Sequence, residues 1–358
     1  MEEHLNLAEL RDGARLVLSR TRGRAADAHA WWSDVSELGW LGIAVPASIG
    51  GMEQPMSALA VLYQELGRVL APNHFLNSCV CMLALSPLSS GNDSLGALIR
   101  RCVAGEYRLL DGTCAAQPIM LANGRLHGRV QALLDAAGAS HILICTGDRA
   151  TRLVVMPLQS QGISLARLPA WDQSRRMFDI ALDDVALCDA AVIIEEPESA
   201  PIINSLAAHR DFALACDSLG GAEAIFGETL SYMQSRQQFG RPIASFQSLK
   251  HRCADLATSL AGAQAQVTAT GLMIDARHRD WPFASGLCRL YAGAVYRCVS
   301  EEAVQLHGGI GFTWDHPCHR YLKRARLNDV LGGTPDVRKD ALAPSLFRAI
   351  RQEQPLAN

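Results

Sequence analysis

SRQQFGRPIASFQSLKHRCADLA, residues 235–257, ends one helical run with an arginine, turns through Phe239-Gly240-Arg241-Pro242 and restarts a helix at Gln247. Gly and Pro are the residues that break a helix into a turn. Arg236 offers a planar fork of donors suited to a phosphate, and Phe239 offers a flat apolar face. A second stretch, AVQLHGGIGFTWDHPCHRYLKRAR, residues 303–326, places Gly308, Gly309 and Gly311 directly after another helical run. Without Cβ atoms, the backbone N–H groups of such a break can approach a ligand closely. Taken singly, each feature has an ordinary structural reading: a solvated helix end for Arg236, and a helix stop with a turn for the glycines.

Outward from the turn at 239–242, the periodicity changes twice. Leu206–Gln237 is one long helical pattern containing Gly220-Gly221, a pair that lets another backbone come close. Further helices are expected over 246–277, 283–307 and 336–351. Toward the N-terminus, residues 109–195 read as short β-rich runs at 125–130, 141–146, 153–157, 178–182 and 190–194. Asn123-Gly124, Gly147-Asp148, Gly162 and Asp183-Asp184 separate them. Residues 5–105 return to 3–4 residue spacing, as in Leu5, Leu7, Leu10 and again over Ala58–Leu70, which stops before Ala71-Pro72. LGWLGIAVPASIGGM, residues 38–52, is a loop between these helices. Helices, a small antiparallel sheet or barrel, then a helical bundle make an α+β chain rather than an interleaved α/β sheet.

Composition limits the functional classes. The chain has 358 residues, 49% of them hydrophobic and 19% charged, enough for a sizeable core and for more than one domain. A formal net charge of −3 leaves no basic surplus for gripping a phosphate backbone, so nucleic acid is set aside as a partner. Eleven cysteines are scattered without a CxxC, and Cys145 and Cys216 lie in apolar runs where cysteine acts as a small hydrophobe. Reduced structural thiols and no metal site are expected. The N-terminus, MEEHLNLAEL, is acidic, and no run approaches the ~18–20 apolar residues that cross a bilayer. The expectation is a soluble cytoplasmic protein.

Together the two motifs say more than either alone. RQQFGRP followed by Gln247, then QLHGGIGF about sixty residues on, resembles the flavin-binding C-terminal domain of the acyl-CoA dehydrogenases. LGWLGIAVPASIGGM resembles that family's N-terminal loop, and WDQSRRMFDIALDDVAL, residues 171–187, its middle-domain strand pair. The resemblance covers almost the whole chain. It implies an N-terminal helical domain over 1–108, a middle β-barrel-like domain over 109–198 and a C-terminal four-helix bundle over 199–358. It also implies FAD-dependent α,β-desaturation of an acyl-CoA, with electrons passed to an electron-transfer flavoprotein. On this resemblance Arg236 pairs with the FAD pyrophosphate, Phe239 packs near the adenosine half and Gln247 hydrogen-bonds the cofactor. Gln305, Leu306, Gly308 and Gly309 line the same nucleotide, and Thr334 joins the cofactor-binding set.

Three departures bear on the chemistry. Where most members carry Tyr-Glu-Gly-Thr, with the glutamate as base, this chain has Leu331-Gly332-Gly333-Thr334, so Gly332 takes the base position. The alternative base site of some members, on the helix leading to the RxxFG motif, falls on Arg210. Its neighbour Asp211 is a carboxylate that could serve as base or form a salt bridge, and the salt bridge is the favoured reading. In the middle domain, Ala116-Gln117-Pro118 and Ala132-Leu133-Leu134 stand where the family has Thr-Glu-Pro and a Trp-Ile-Thr strand. This pattern resembles the shortened subunit of an α2β2 enzyme whose full-length partner supplies the glutamate, as in members acting on steroid-derived acyl-CoA. The alternatives are a self-sufficient homomer using Asp211 and a non-catalytic scaffold of the same fold.

Overall fold

The computed structural model describes residues 5–21, 28–114, 119–147, 151–187 and 191–351. Five helices lead: α1 (Leu7–Thr21), α2 (Ala28–Glu37), α3 (Met56–Arg68), α4 (His74–Leu85) and α5 (Asp93–Val103). Eight strands follow: β1 (Leu109–Asp111), β2 (Met120–Ala122), β3 (Arg125–Leu134), β4 (His141–Thr146), β5 (Arg152–Pro157), β6 (Ile163–Leu168), β7 (Met177–Ala186) and β8 (Val192–Ile194). The long helix α6 (Ser199–Ser235) and the short strands β9 (Gln237–Gln238) and β10 (Arg241–Pro242) come next. The chain closes with α7 (Gln247–Asp275), α8 (Trp281–His307), α9 (Cys318–Val330) and α10 (Pro335–Arg351). Two compact units result. One is built mainly from Thr21–Leu59 and Pro72–Arg210, the other from Asn6–Arg20, Ala60–Ala71 and Asp211–Asn358.

In the first unit, the strands make two four-stranded sheets of order β1-β4-β5-β8 and β2-β3-β7-β6. Alternation on β7 turns Phe178, Ile180 and Leu182 inward, where they meet Leu126 and Val130 of β3 and Ile142, Ile144, Val154 and Met156 of the other sheet. The barrel-like expectation needs correcting: the sheets are not closed. Among the described residues only an isolated bridge, Ile119 to Thr146, runs between them. The antiparallel expectation also fails at one edge, because β1 pairs with β4 in parallel. β4 is buried on both faces. α4, apolar on nearly every side, is buried except at the partly exposed Leu83, and its Ser78 hydroxyl accepts the Leu109 N–H at 3.1 Å. At α5, Asn92 caps the first turn by accepting the Leu95 N–H at 2.9 Å.

In the second unit, the helices meet through a buried ionic layer as well as an apolar core. Arg324 on α9 is fully buried. It donates to Asp217 on α6 at 3.2 Å and to the Ala71 carbonyl at 2.9 Å. Asn328 donates to the second oxygen of Asp217 at 2.7 Å. Glu65 on α3, also buried, meets Arg15 at 3.0 Å and Arg68 at 3.1 Å. The backbones of α3 and α6 touch at glycines: a Cβ on Gly220 would lie 1.8 Å from the Gln64 carbonyl oxygen, and one on Gly67 2.1 Å from that of Asp217. No helix is long and apolar enough to cross a membrane among the described residues.

Candidate functional site

The turn after α6 is a two-residue hairpin. Gln238 pairs with Arg241, and both loop residues, Phe239 and Gly240, have positive φ (54° and 75°). That is the turn whose twist suits a hairpin, and glycine is the natural occupant of its second position. It lifts the Phe239 side chain clear of the protein, 91% exposed, with only an edge contact to Phe246 at 6.1 Å between ring centroids. The Arg241 guanidinium stacks over Phe246 at 4.2 Å. Arg236 and Gln247 are both exposed, and Arg236 makes no ion pair among the described residues.

A small apolar cluster fixes this hairpin to the glycine-rich motif. Met233 of α6, Cys253 of α7 and Leu306 of α8 form its centre, with Leu230, Ile243 and Leu249 packed on it. The two motifs, remote in sequence, therefore lie side by side within one unit. Leu306 turns its side chain into this core, while Gln305, Gly308 and Gly309 remain exposed. A Cβ at Gly308 or Gly309 would meet nothing within 4 Å, so the surface there is open. His307 points inward: its Nδ1 lies 2.8 Å from the Ala303 carbonyl, Tyr232 stacks on its ring at 4.4 Å, and burial lowers its pKa.

The candidate base positions carry no free carboxylate. Asp211 is buried, its Oδ1 accepts from Arg289 of α8 at 2.9 Å, and it also forms an ion pair with Arg338 of α10. Arg289 also donates to the carbonyls of Asn328 (3.2 Å) and Leu331 at the end of α9. Asp211 therefore faces two guanidinium groups. Arg210 donates to Asp111 Oδ2 at 2.5 Å, and Asp111 also accepts from the Thr113 hydroxyl at 2.6 Å. Burial opposes the Arg210 charge, but Asp111, with Cys114 and Cys81, more than offsets it and the pKa is raised. Gly332 is exposed with φ 64°. Thr334, also exposed, serves α10: its carbonyl accepts the Arg338 N–H at 3.0 Å and its hydroxyl lies 3.5 Å from the Val337 N–H.

On β3, Ala132 sits at a bulge with φ 58°, its N–H donating to Asp179 at 2.9 Å, and Leu133 and Leu134 are buried. This strand end presents methyl groups and no hydroxyl. Ala116-Gln117-Pro118 lies outside the described residues.

The chain matches the acyl-CoA dehydrogenase N-terminal domain over residues 10–95 and the C-terminal domain over 201–347. It is 30% identical over 304 residues to the acyl-CoA dehydrogenase IpdE2 of Mycobacterium tuberculosis, covering 84% of this chain and 81% of that protein. The chain belongs to the acyl-CoA dehydrogenase family. The fold agrees. A variant of the Tcur3481–Tcur3483 steroid ACAD superposes with a TM-score of 0.86 over 96% of this chain and 98% of that one, at 23% identity. A chain of the ChsE4–ChsE5 complex from Mycobacterium tuberculosis gives 0.84 over 97% and 98%, at 18% identity. Within the acyl-CoA dehydrogenase fold, the local sequence pattern located the hairpin and the glycine motif. It did not reveal Asp111, Arg289 and Arg338 as partners of Arg210 and Asp211, because each pair is brought together only by tertiary packing.

Proposed function

We propose that this chain is the shortened subunit of a heteromeric FAD-dependent acyl-CoA dehydrogenase, contributing a nucleotide-binding edge while a full-length partner supplies the glutamate base. The observation that carries this reading is an asymmetry. The edge formed by Arg236, Phe239, Gln247, Gln305, Gly308 and Gly309 is exposed, whereas the base positions hold Gly332 and the ion-paired Arg210. Donor chemistry fits a dinucleotide there: a guanidinium with no counter-ion among the described residues, a projecting aromatic ring and a backbone open above Gly308 and Gly309. Bound FAD supplies the electron acceptor for α,β-desaturation of an acyl-CoA thioester.

In this reading Arg236 neutralises the pyrophosphate, Phe239 covers the adenosine half, and Gln247 and Gln305 donate or accept at the nucleotide. Leu306 holds the motif from inside the core, and Thr334 keeps the Gly332-Gly333 turn in place through α10. Asp211 is structural, since its Oδ1 faces two guanidinium groups. The fold neighbours named as the Tcur3481–Tcur3483 steroid ACAD and the ChsE4–ChsE5 complex support a paired assembly, and the first of them a steroid-derived acyl-CoA substrate. Reoxidation by an electron-transfer flavoprotein and a cytoplasmic location complete the proposal.

Co-expression with a full-length family member tests it. A stable complex with about one flavin per heterodimer is expected, while the lone chain does not oxidise acyl-CoA. Removing a general base typically lowers a rate by ~10²–10⁴-fold, so Asp211→Asn within the complex should keep turnover within a few-fold. Dehydrogenation by the lone chain, abolished by Asp211→Asn, would overturn the heteromeric reading and make Asp211 the base.

A further inference from the structure

The segment that follows the glycine motif folds back on it. α8 ends at His307, the chain turns through Gly308–Phe312, and His316 and Cys318 return to the same imidazole at the start of α9. The ligand-capable atoms of the three side chains all lie within 4.8 Å of one another. Cys318 Sγ is 3.4 Å from the His307 ring at Nδ1, and the rings of His307 and His316 are 4.1 Å apart between centroids. Zn–N and Zn–S bonds of about 2.0–2.3 Å put tetrahedral ligands roughly 3.3–3.8 Å apart, so the most distant ligand atoms must close by about 1 Å, and the Cys318 thiol must swing from the Nδ1 edge of His307 toward Nε2 to share an ion with it. His316 is only half-buried and has room to make that adjustment.

A second observation concerns His307 itself. Only 3% of it is exposed. An imidazole N–H at Nδ1 satisfies the Ala303 carbonyl 2.8 Å away, which leaves the lone pair on Nε2. That Nε2 is buried and has no hydrogen-bond partner among the described residues. A buried unsatisfied acceptor is costly in a folded protein. An N–H anchored to a carbonyl on one side, with the other nitrogen free, is how metal-ligating imidazoles are held.

We propose that His307, His316 and Cys318 form a binding site for Zn²⁺, with His307 coordinating through Nε2 and water completing the tetrahedron. A thiolate with two imidazoles suits a borderline-soft cation and not Mg²⁺ or Ca²⁺. Burial pushes the Cys318 thiol up to about 12, so the metal-free chain holds the S–H form. Binding forms the S–Zn bond, breaks the S–H bond and releases that proton to buffer without any change of oxidation state. The ion would tie the end of α8 to the start of α9 and so brace Gly308-Gly309 from behind. That last consequence rests on the nucleotide reading above, but the binding itself does not.

The test is titration of the full chain, stripped with chelator, with Zn²⁺ against a chromophoric competitor, and with Co²⁺ for its spectrum. One ion per chain is expected, with a thiolate-to-cobalt charge-transfer band. Cys318→Ser should abolish that band, and Cys318→Ser and His316→Gln should each weaken binding by at least about tenfold, the lower end of what losing even an outer-shell partner does. Both variants should melt like the parent in chelator, which separates a lost ligand from a lost fold. If Cys318→Ser is unstable, His316→Gln, at a half-buried position, decides between the outcomes. Absence of stoichiometric binding at micromolar ion, or parental affinity in His316→Gln, would overturn the site and assign any bound ion to surface histidines.

Discussion

Arg236 is an exposed cation with no ion-pair partner among the described residues, whereas Arg289, Arg324 and Arg338 on neighbouring helices are all committed to buried carboxylates. The difference decides what each substitution does. Arg236→Ala removes nothing the fold depends on, and in the assembled enzyme it should lower flavin content. A charge-assisted bond to phosphate is worth ~1.5–3 kcal/mol, so FAD should bind roughly tenfold to a hundredfold more weakly. Phe239→Ala deletes contact area without charge and should weaken binding less. Absorbance and equilibrium dialysis of the purified complex check both, and unchanged flavin stoichiometry in Arg236→Ala would remove Arg236 from the site. These residues were legible because the turn that presents them is local. The fate of Asp211 depended on Arg289 and Arg338, which only the folded chain brings to it.

Two glycines on α6 should respond to alanine in opposite directions. Gly220 lies against the backbone of α3, where a Cβ would sit 1.8 Å from the Gln64 carbonyl oxygen, so the helices must separate to admit it. Gly220→Ala is expected to destabilise the second unit by about 1–3 kcal/mol or more. Gly227, further along the same helix, has nothing within 4 Å of an added Cβ. Gly227→Ala should stabilise by ~0.4–1 kcal/mol, through helix propensity and a less flexible unfolded chain. Urea denaturation of the two variants measures both signs. A close approach at Gly220-Gly221 could be anticipated from sequence, but α9 could not. The buried face of that helix includes Arg324 and Asn328 beside Cys318, Tyr321 and Ala325, so no apolar stripe announces it. β6 was equally silent, because an edge strand with an exposed centre lacks the alternating pattern.

Across the whole molecule, buried histidines set the response to acid. Burial is the main cause that brings His209 down to about 4. It does the same for His74, where Arg108 and Arg176 add to the lowering and Asp135 opposes it. The folded chain thus binds fewer protons at these rings than the unfolded chain does once pH falls below about 6.5. Their contribution to stability is fully present above that pH and is lost as pH falls toward 4. Glu223 works the other way, since burial raises its carboxyl and the folded state holds that proton more tightly. The urea midpoint should therefore fall between pH 7.5 and pH 5, and His209→Gln should flatten that slope. A midpoint that stays constant in the parent would show that these rings are not buried in neutral form.

Sequence alone determined the α+β order, the turn at Phe239-Gly240 and the glycine at position 332, because each is a property of a few neighbouring residues. Gly and Pro act within one turn, periodicity acts within one element, and a glycine has no carboxylate in any fold. Tertiary structure decided the rest. The two sheets stay separate and β1 runs parallel to β4, since strands of three residues hold too little pattern to specify a partner. Asp211 became half of an ionic pair, and His307, His316 and Cys318 became one cluster, only when α8, α9 and α10 folded around them. Contacts between side chains depend on distances of a few ångströms, and spacing along a sequence does not encode those distances.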